Sequence, residues 1–146
     1  MRSPEASSDM FEALRSLELP SEHYVIFGSG PMLLHGIRDR IGDLDVLARG
    51  EAWARATTFA QPAPAPSAVG FMVRLFGGRI DVFDSWVTED WDVDGLIESA
   101  EVFDGLPYAP LSAVLAWKRT SGRPKDKDDV VALEEYLRSG DAMPPA

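Results

Sequence analysis

The sequence predicts an α+β domain, a mixed β-sheet flanked by helices. Three observations predict it. Apolar runs of strand length, such as Tyr24-Val25-Ile26-Phe27, alternate with segments whose apolar residues recur at helical spacing. A Gly77-Gly78 pair separates two further apolar runs, which is a hairpin signal. The 146 residues contain no internal repeat and no second domain, so one domain over residues 1–146 is expected.

The elements follow in order. Residues 1–10 are polar and predict a disordered tail. Over 9–19, Met10, Phe11, Leu14 and Leu17 keep helical spacing, with Asp9 as the N-cap and Pro20 after the end. Residues 24–27 form an apolar run too short for a helix and suited to a buried strand. Gly28-Ser29-Gly30 breaks it, and Pro31 suits the first position of a helix running to about Arg38. Residues 43–48 alternate polar with apolar, the pattern of a half-buried strand. A helix is expected over 51–60. The Pro-rich stretch 61–70 predicts a surface loop without regular structure. The hairpin spans 71–76 and 79–83. Residues 85–98 predict a loop with a short helix, and 100–108 a strand or hairpin broken at Asp104-Gly105. Two helices close the chain. One runs from Ser112, an N-cap after Pro110, to Thr120; the other runs over 126–138 and is ended by Gly140.

Composition removes several function classes. There is no cysteine, which excludes disulfides, thiolate metal sites and a Cys nucleophile. Two histidines, His23 and His35, are too few for a histidine-built zinc site. No apolar run reaches the ~18–20 residues of a membrane span, and no signal-peptide core is visible. A soluble, cytoplasmic protein with no membrane partner is expected. Fourteen basic against 24 acidic residues leave a net charge of −10, which disfavours bulk nucleic-acid binding. All three lysines, Lys118, Lys125 and Lys127, nevertheless cluster with Arg119 and Arg123, so a local anion site is compatible with an acidic protein.

The chemistry concentrates in YVIFGSGPMLLHGIRDRIGDLDVLARG. Residues i and i+2 of a strand share a face, so Asp43 and Asp45 project together while Leu44 and Val46 enter the core. Two carboxylates this close repel unless a cation sits between them, and an oxygen-preferring divalent ion is the natural solution. Asp81, within Ile80-Asp81-Val82, is the third candidate. On an adjacent strand it would complete a site for two metals ~3.5–4 Å apart, suited to in-line phosphoryl or nucleotidyl transfer. Gly28 would let a phosphate approach the backbone, Ser29 adds a hydroxyl, and the helix at Pro31 offers N–H groups.

These residues resemble the nucleotidyltransferase superfamily with the DNA polymerase beta fold. Gly28-Ser29, then Asp43-Leu44-Asp45 after thirteen residues, then Ile80-Asp81-Val82 match its hG[GS], Dh[DE]h and hDh motifs, where h is apolar. The segment LAWKRTSGRPKDKDDVVAL is similar to that of small bacterial members such as AbiEii-like toxins and lincosamide nucleotidyltransferases. The resemblance covers about residues 20–138. It implies a polymerase-beta-type fold and a transferase that moves a nucleoside monophosphate from a nucleoside triphosphate to an acceptor hydroxyl or phosphate, releasing pyrophosphate. It implies Asp43, Asp45 and Asp81 as ligands of two Mg²⁺ ions, with Mn²⁺ an alternative, and Asp81 as acceptor of the incoming group's proton. Gly28, Ser29, Lys118 and Arg123 would contact the nucleotide's phosphates. Gly30-Pro31 departs from the longer small-residue run of relatives.

Plainer readings compete at several positions. Asp84 rivals Asp81 but has the opposite strand parity. Asp126 and Asp129, at a helix start, read as capping and dipole partners. Lys118 and Arg123 have a competing reading as ordinary exposed cations, Lys125 and Lys127 read as solvated, His35 as a packed histidine, and the four tryptophans as core or interface. Arg38 and Arg40 could reach phosphate or pair with Asp39. A dinucleotide fingerprint fails at Leu33, a Walker A loop lacks its lysine, and a nucleophile elbow would need glycines at Phe27 and Pro31. The second functional reading is a non-catalytic nucleotide-binding or toxin–antitoxin interaction module of the same fold. Three retained carboxylates argue against it. A small-molecule or protein acceptor is favoured over nucleic acid, and a homodimer or an antitoxin is a compatible partner.

Overall fold

Strand β1 (Tyr24–Phe27) is buried at every position, which places it inside a sheet covered on both faces. In the computed structural model, which describes residues 7–86 and 91–139, it is one of seven strands in a single mixed sheet. The chain runs through α1 (Ser7–Ser16), β1, α2 (Gly30–Leu34), β2 (Leu44–Ala48), α3 (Gly50–Ala56), β3 (Ala63–Pro64), β4 (Phe71–Leu75), β5 (Ile80–Phe83), α4 (Val93–Glu98), β6 (Glu101–Phe103), β7 (Leu106–Tyr108), α5 (Leu111–Ser121) and α6 (Pro124–Arg138). The spatial order is β3-β4-β5-β2-β1-β7-β6. Pairing is antiparallel except for β1–β7 and β2–β5. The α+β expectation therefore holds.

Strand parity divides the core in two. Tyr24, Ile26, Leu44, Val46, Ile80 and Val82 pack on one face against Met10 and Leu14 of α1 and Ala52 and Ala56 of α3. Val25, Phe27 and Leu47 pack on the other against Met32, Leu96, Val114, Trp117 and Leu133 from α2, α4, α5 and α6. Helices thus close both faces, the usual way to bury a sheet. No helix among the described residues is long and apolar enough to cross a membrane.

Several local expectations are corrected. Residues 7–10, expected within a disordered tail, are helical, and Asp9 sits inside the first turn of α1 instead of capping it. There its charge still favours the positive end of the helix. The helix ends at Ser16 because Glu18 takes a left-handed φ of 53°. Helix α2 stops at Leu34 rather than near Arg38, and α3 at Ala56 rather than at residue 60. After α3, the hydroxyls of Thr57 and Thr58 bond back to the carbonyls of Ala54 and Arg55, competing with helix propagation. The Pro-rich loop does carry regular structure: Ala63 and Pro64 pair with Met72 and Phe71 at the sheet edge, where a proline's missing donor is tolerated. Pro110, not Ser112, occupies the N-cap of α5. Helix α6 begins at Pro124, two residues earlier than expected, with Arg123 at the cap.

Other expectations stand. The 71–83 hairpin forms, its turn running over residues 76–78, all three with positive φ, 53°, 66° and 93°. The 100–108 segment is a hairpin whose turn residues Asp104 and Gly105 both have positive φ, 52° and 79°, as a tight two-residue connection requires. The short helix expected in 85–98 is α4, capped by Asp92, which accepts from the Gly95 N–H at 3.0 Å. The Gly140 stop, residues 1–6 and residues 87–90 lie outside the described residues.

Candidate metal centre

The register of three strands assembles the acidic site. In the parallel β2–β5 pair Asp45 stands opposite Asp81, and in the antiparallel β4–β5 pair Arg74 stands opposite Asp81. Asp43, just before β2, shares the parity of Asp45. Ligand oxygens of Asp43, Asp45 and Asp81 all lie within 4.8 Å of one another. Their intervening neighbours Leu44, Val46, Ile80 and Val82 are fully buried on the opposite face. The three predicted carboxylates therefore meet at one point. Asp84 does not join them, because its Oδ1 accepts from the Phe71 N–H at 2.8 Å.

Clustering has an electrostatic cost. Burial, reinforced by the charges of Asp43 and Asp81, pushes the Asp45 carboxyl up to about 7, against the opposing pull of Arg123 and Lys118. Burial also raises Asp81. There the hydrogen bond and charge of Arg74 pull it down, with Nε 3.1 Å from Oδ1, while Asp43 pushes it up. An all-carboxylate donor set held this close suits a hard divalent cation such as Mg²⁺ or Mn²⁺, which would relieve the repulsion the fold maintains.

The Gly28-Ser29 turn lies against this cluster because Phe27 pairs with Asp45, so the chain leaves β1 beside the carboxylates. Gly28 has a φ of +60°, and a Cβ there would sit 2.6 Å from Asp45 Oδ2. Only glycine meets both demands. Ser29 is the N-cap of α2 but makes no capping bond with its side chain. Its Oγ instead receives a hydrogen bond from Lys118 Nζ at 3.0 Å. Helix α2 has five residues, so the dipole contribution anticipated at Pro31 is small.

The C-terminal segment is organised differently from its sequence reading. Lys118 is 4% exposed, and its Nζ also donates to Asp126 Oδ1 at 3.2 Å and Asp129 Oδ2 at 2.9 Å. Asp126 and Asp129 are thus buried ion-pair partners, not caps. Three apart on α6, they share the helix face that turns inward. Burial pushes the Asp126 carboxyl up, but hydrogen bonds from Ser121 and Arg123 and the Lys118 ammonium outweigh it and hold it at about 2. Arg123 donates through Nε to Asp126 Oδ2 at 2.6 Å, with its guanidinium 5.6 Å from the Trp117 ring centre.

A cavity of about 550 Å³ unites these groups. Gly28, Ser29, Asp43, Asp45, Asp81, Lys118 and Arg123 all line it. Lys125, expected to be simply solvated, lies on its rim, and Trp86 and Trp117 form part of the wall. The sequence reading missed Arg74 and left Arg38 undecided. Arg38 approaches Asp129 at 3.5 Å and lines the cavity. Arg74 was within reach of the sequence: a hairpin turning at Gly77-Gly78 sets Phe76 opposite Arg79 and so Arg74 opposite Asp81, the register observed. His35 packs edge-on against Phe103 and Tyr136, away from the cavity, and burial lowers its pKa. Comparison with protein-family models, curated proteins and solved structures yields no match for this chain.

Proposed function

We propose that this protein is a metal-dependent nucleotidyltransferase with a polymerase-beta-type fold. The observation that carries the proposal is the convergence of Asp43, Asp45 and Asp81 within 4.8 Å, beside a Gly-Ser turn and inside a cavity whose wall also carries Arg38 and Lys125. Oxygen-only ligands select hard ions, and phosphate oxygens are the usual partners that complete their coordination. Two bound Mg²⁺ ions would supply charge neutralisation on the attacking and leaving oxygens.

The chain's own residues have distinct tasks in this reading. Asp43, Asp45 and Asp81 would hold the ions. Asp81, raised by burial, accepts the proton of the acceptor hydroxyl as the bond from that oxygen to the α-phosphorus forms. The bond from the α-phosphorus to the bridging oxygen breaks, and pyrophosphate leaves with the electron pair. Gly28 and Ser29 bear on the phosphates, and Arg38 and Lys125 on the cavity wall bring positive charge toward the triphosphate. A cavity of about 550 Å³ is ample for a nucleotide. With a net charge of −10, a small-molecule or protein hydroxyl is the favoured acceptor.

Calorimetry with ATP, GTP, CTP and UTP, with and without Mg²⁺, tests the proposal. Binding of at least one nucleotide that requires the metal and disappears in Asp45→Asn is the expected result. Metal-independent binding, or none, would overturn it in favour of an interaction module.

A further inference from the structure

A lysine ammonium has three N–H donors and no acceptor. In Lys118 all three have a protein oxygen: Ser29 Oγ at 3.0 Å, Asp126 Oδ1 at 3.2 Å and Asp129 Oδ2 at 2.9 Å. The side chain is 3% exposed. A phosphate could be bound by this nitrogen only in exchange for one of these bonds: the two to buried carboxylates are costly to give up, and the third is the one that orients the Ser29 hydroxyl.

The polarity of Ser29 follows. Its Oγ faces two groups that can only donate, Lys118 Nζ at 3.0 Å and Arg38 Nη1 at 3.4 Å. Its own proton is therefore left for a partner on the remaining side, where the residue lines the cavity. Arg38 is held only loosely, by that contact and by one of 3.5 Å to Asp129 Oδ2, and its side chain is 40% exposed. Its planar fork, on the cavity wall, suits bidentate contact with a tetrahedral oxyanion.

We propose that Lys118 is a positioning residue that sets the Ser29 hydroxyl, and that Ser29 and Arg38 together form the oligophosphate contact on this wall. The proposal rests on the nucleotidyltransferase reading and reassigns the phosphate contact that the sequence placed on Lys118. The ligand class is an oligophosphate carried with a divalent cation.

The test uses the full-length chain and inorganic tripolyphosphate with Mg²⁺, a probe without a base. Arg38→Gln, at a half-exposed position, should weaken binding about tenfold or more, the scale of a lost charge-assisted hydrogen bond. Ser29→Ala should also weaken it. In a background of Lys118→Met with Asp126→Asn and Asp129→Asn, which removes the buried charges and leaves unpaired only the half-exposed Arg38 and Arg123, Ser29→Ala should cost much less. A purely structural lysine would leave that cost unchanged and would overturn the positioning role. Magnetic resonance on the wild type decides independently of whether that background folds. With three lysines in the chain, the Lys118 ammonium is assignable, and it should show no ¹⁵N–³¹P coupling to bound tripolyphosphate. Such a coupling, or undiminished binding by Arg38→Gln, overturns the inference and leaves the nucleotidyltransferase reading standing. Failure of the wild type itself to bind overturns both.

Discussion

Asp45 and Asp81 stand directly opposite each other on adjacent parallel strands, two carboxylates where cross-strand pairing would favour opposite charges or apolar contact. Nothing about folding alone rewards that arrangement. It is the pattern of a site that gives up stability for function, and it sets the direction of the first two predictions.

Asp45→Asn keeps the shape of the side chain and removes one of three repelling charges. The metal-free variant should melt higher than the wild type by about 3 °C, the shift of roughly 1 kcal/mol in a domain of this size. It should also lose the stabilisation that Mg²⁺ confers on the wild type, and transfer of label from an α-labelled nucleoside triphosphate. Scanning calorimetry with and without Mg²⁺ checks the first two, and a labelled-nucleotide assay the third. A lower melting temperature together with unchanged Mg²⁺ response would contradict the electrostatic account.

The pH dependence has a defined sign. The Asp45 carboxyl is raised from 3.8 to about 7, so the folded chain binds its proton more tightly than the unfolded chain does. Below about 4 both states are protonated and no penalty exists. Between about 4 and 7 stability falls as pH rises, and above 7 the penalty is complete. Metal binding displaces the same proton, so Mg²⁺ affinity should climb through pH 6–8. Melting curves across this range, with and without the ion, should converge at the acid end and separate at the basic end.

The buried cluster on α5 and α6 behaves oppositely. Asp126 is held at about 2 against 3.8 unfolded, so its stabilisation is complete above about 4 and lost as pH falls through 2. Lys118→Met strands Asp126 and Asp129 without their ammonium, and breaking a buried pair costs about 3–5 kcal/mol. Urea unfolding at pH 7 should register that loss, and Asp126→Asn should narrow the gap to wild type as the pH approaches 2.

Gly28→Ala tests the turn. A left-handed conformation costs a non-glycine residue about 1–2 kcal/mol, and the new methyl would press on Asp45 Oδ2 from 2.6 Å. The variant should fold with a lower melting temperature and bind Mg²⁺ about tenfold more weakly, since displacing a ligand has consequences of that order. Retained affinity would separate the turn from the metal centre.

Much of this molecule was legible locally. Tyr24–Phe27 as a strand, the alternation around Asp45, and both hairpins depend on periodicity and turn chemistry within a few residues. Helix ends were less legible, because a threonine hydroxyl turned back on its own helix stops α3 without any glycine or proline to announce it. The Lys118 cluster was misread for a different reason. Asp126 and Asp129 look like the start of a helix from the sequence, and only the packing of α5 on α6 turns their face inward onto an ammonium.

The order of residues alone determined which side chains share a strand face, and hence that Asp43 and Asp45 act together while Leu44 and Val46 are buried. Alternation along a strand is a property of the backbone, so it needs no partner to be read. The tertiary structure decided what stands beside them: Asp81 across the β2–β5 register, and a lysine from α5 whose three protons are already committed. Those are choices of strand neighbour and helix orientation, made by burial of the whole core, and no local stretch of sequence contains them.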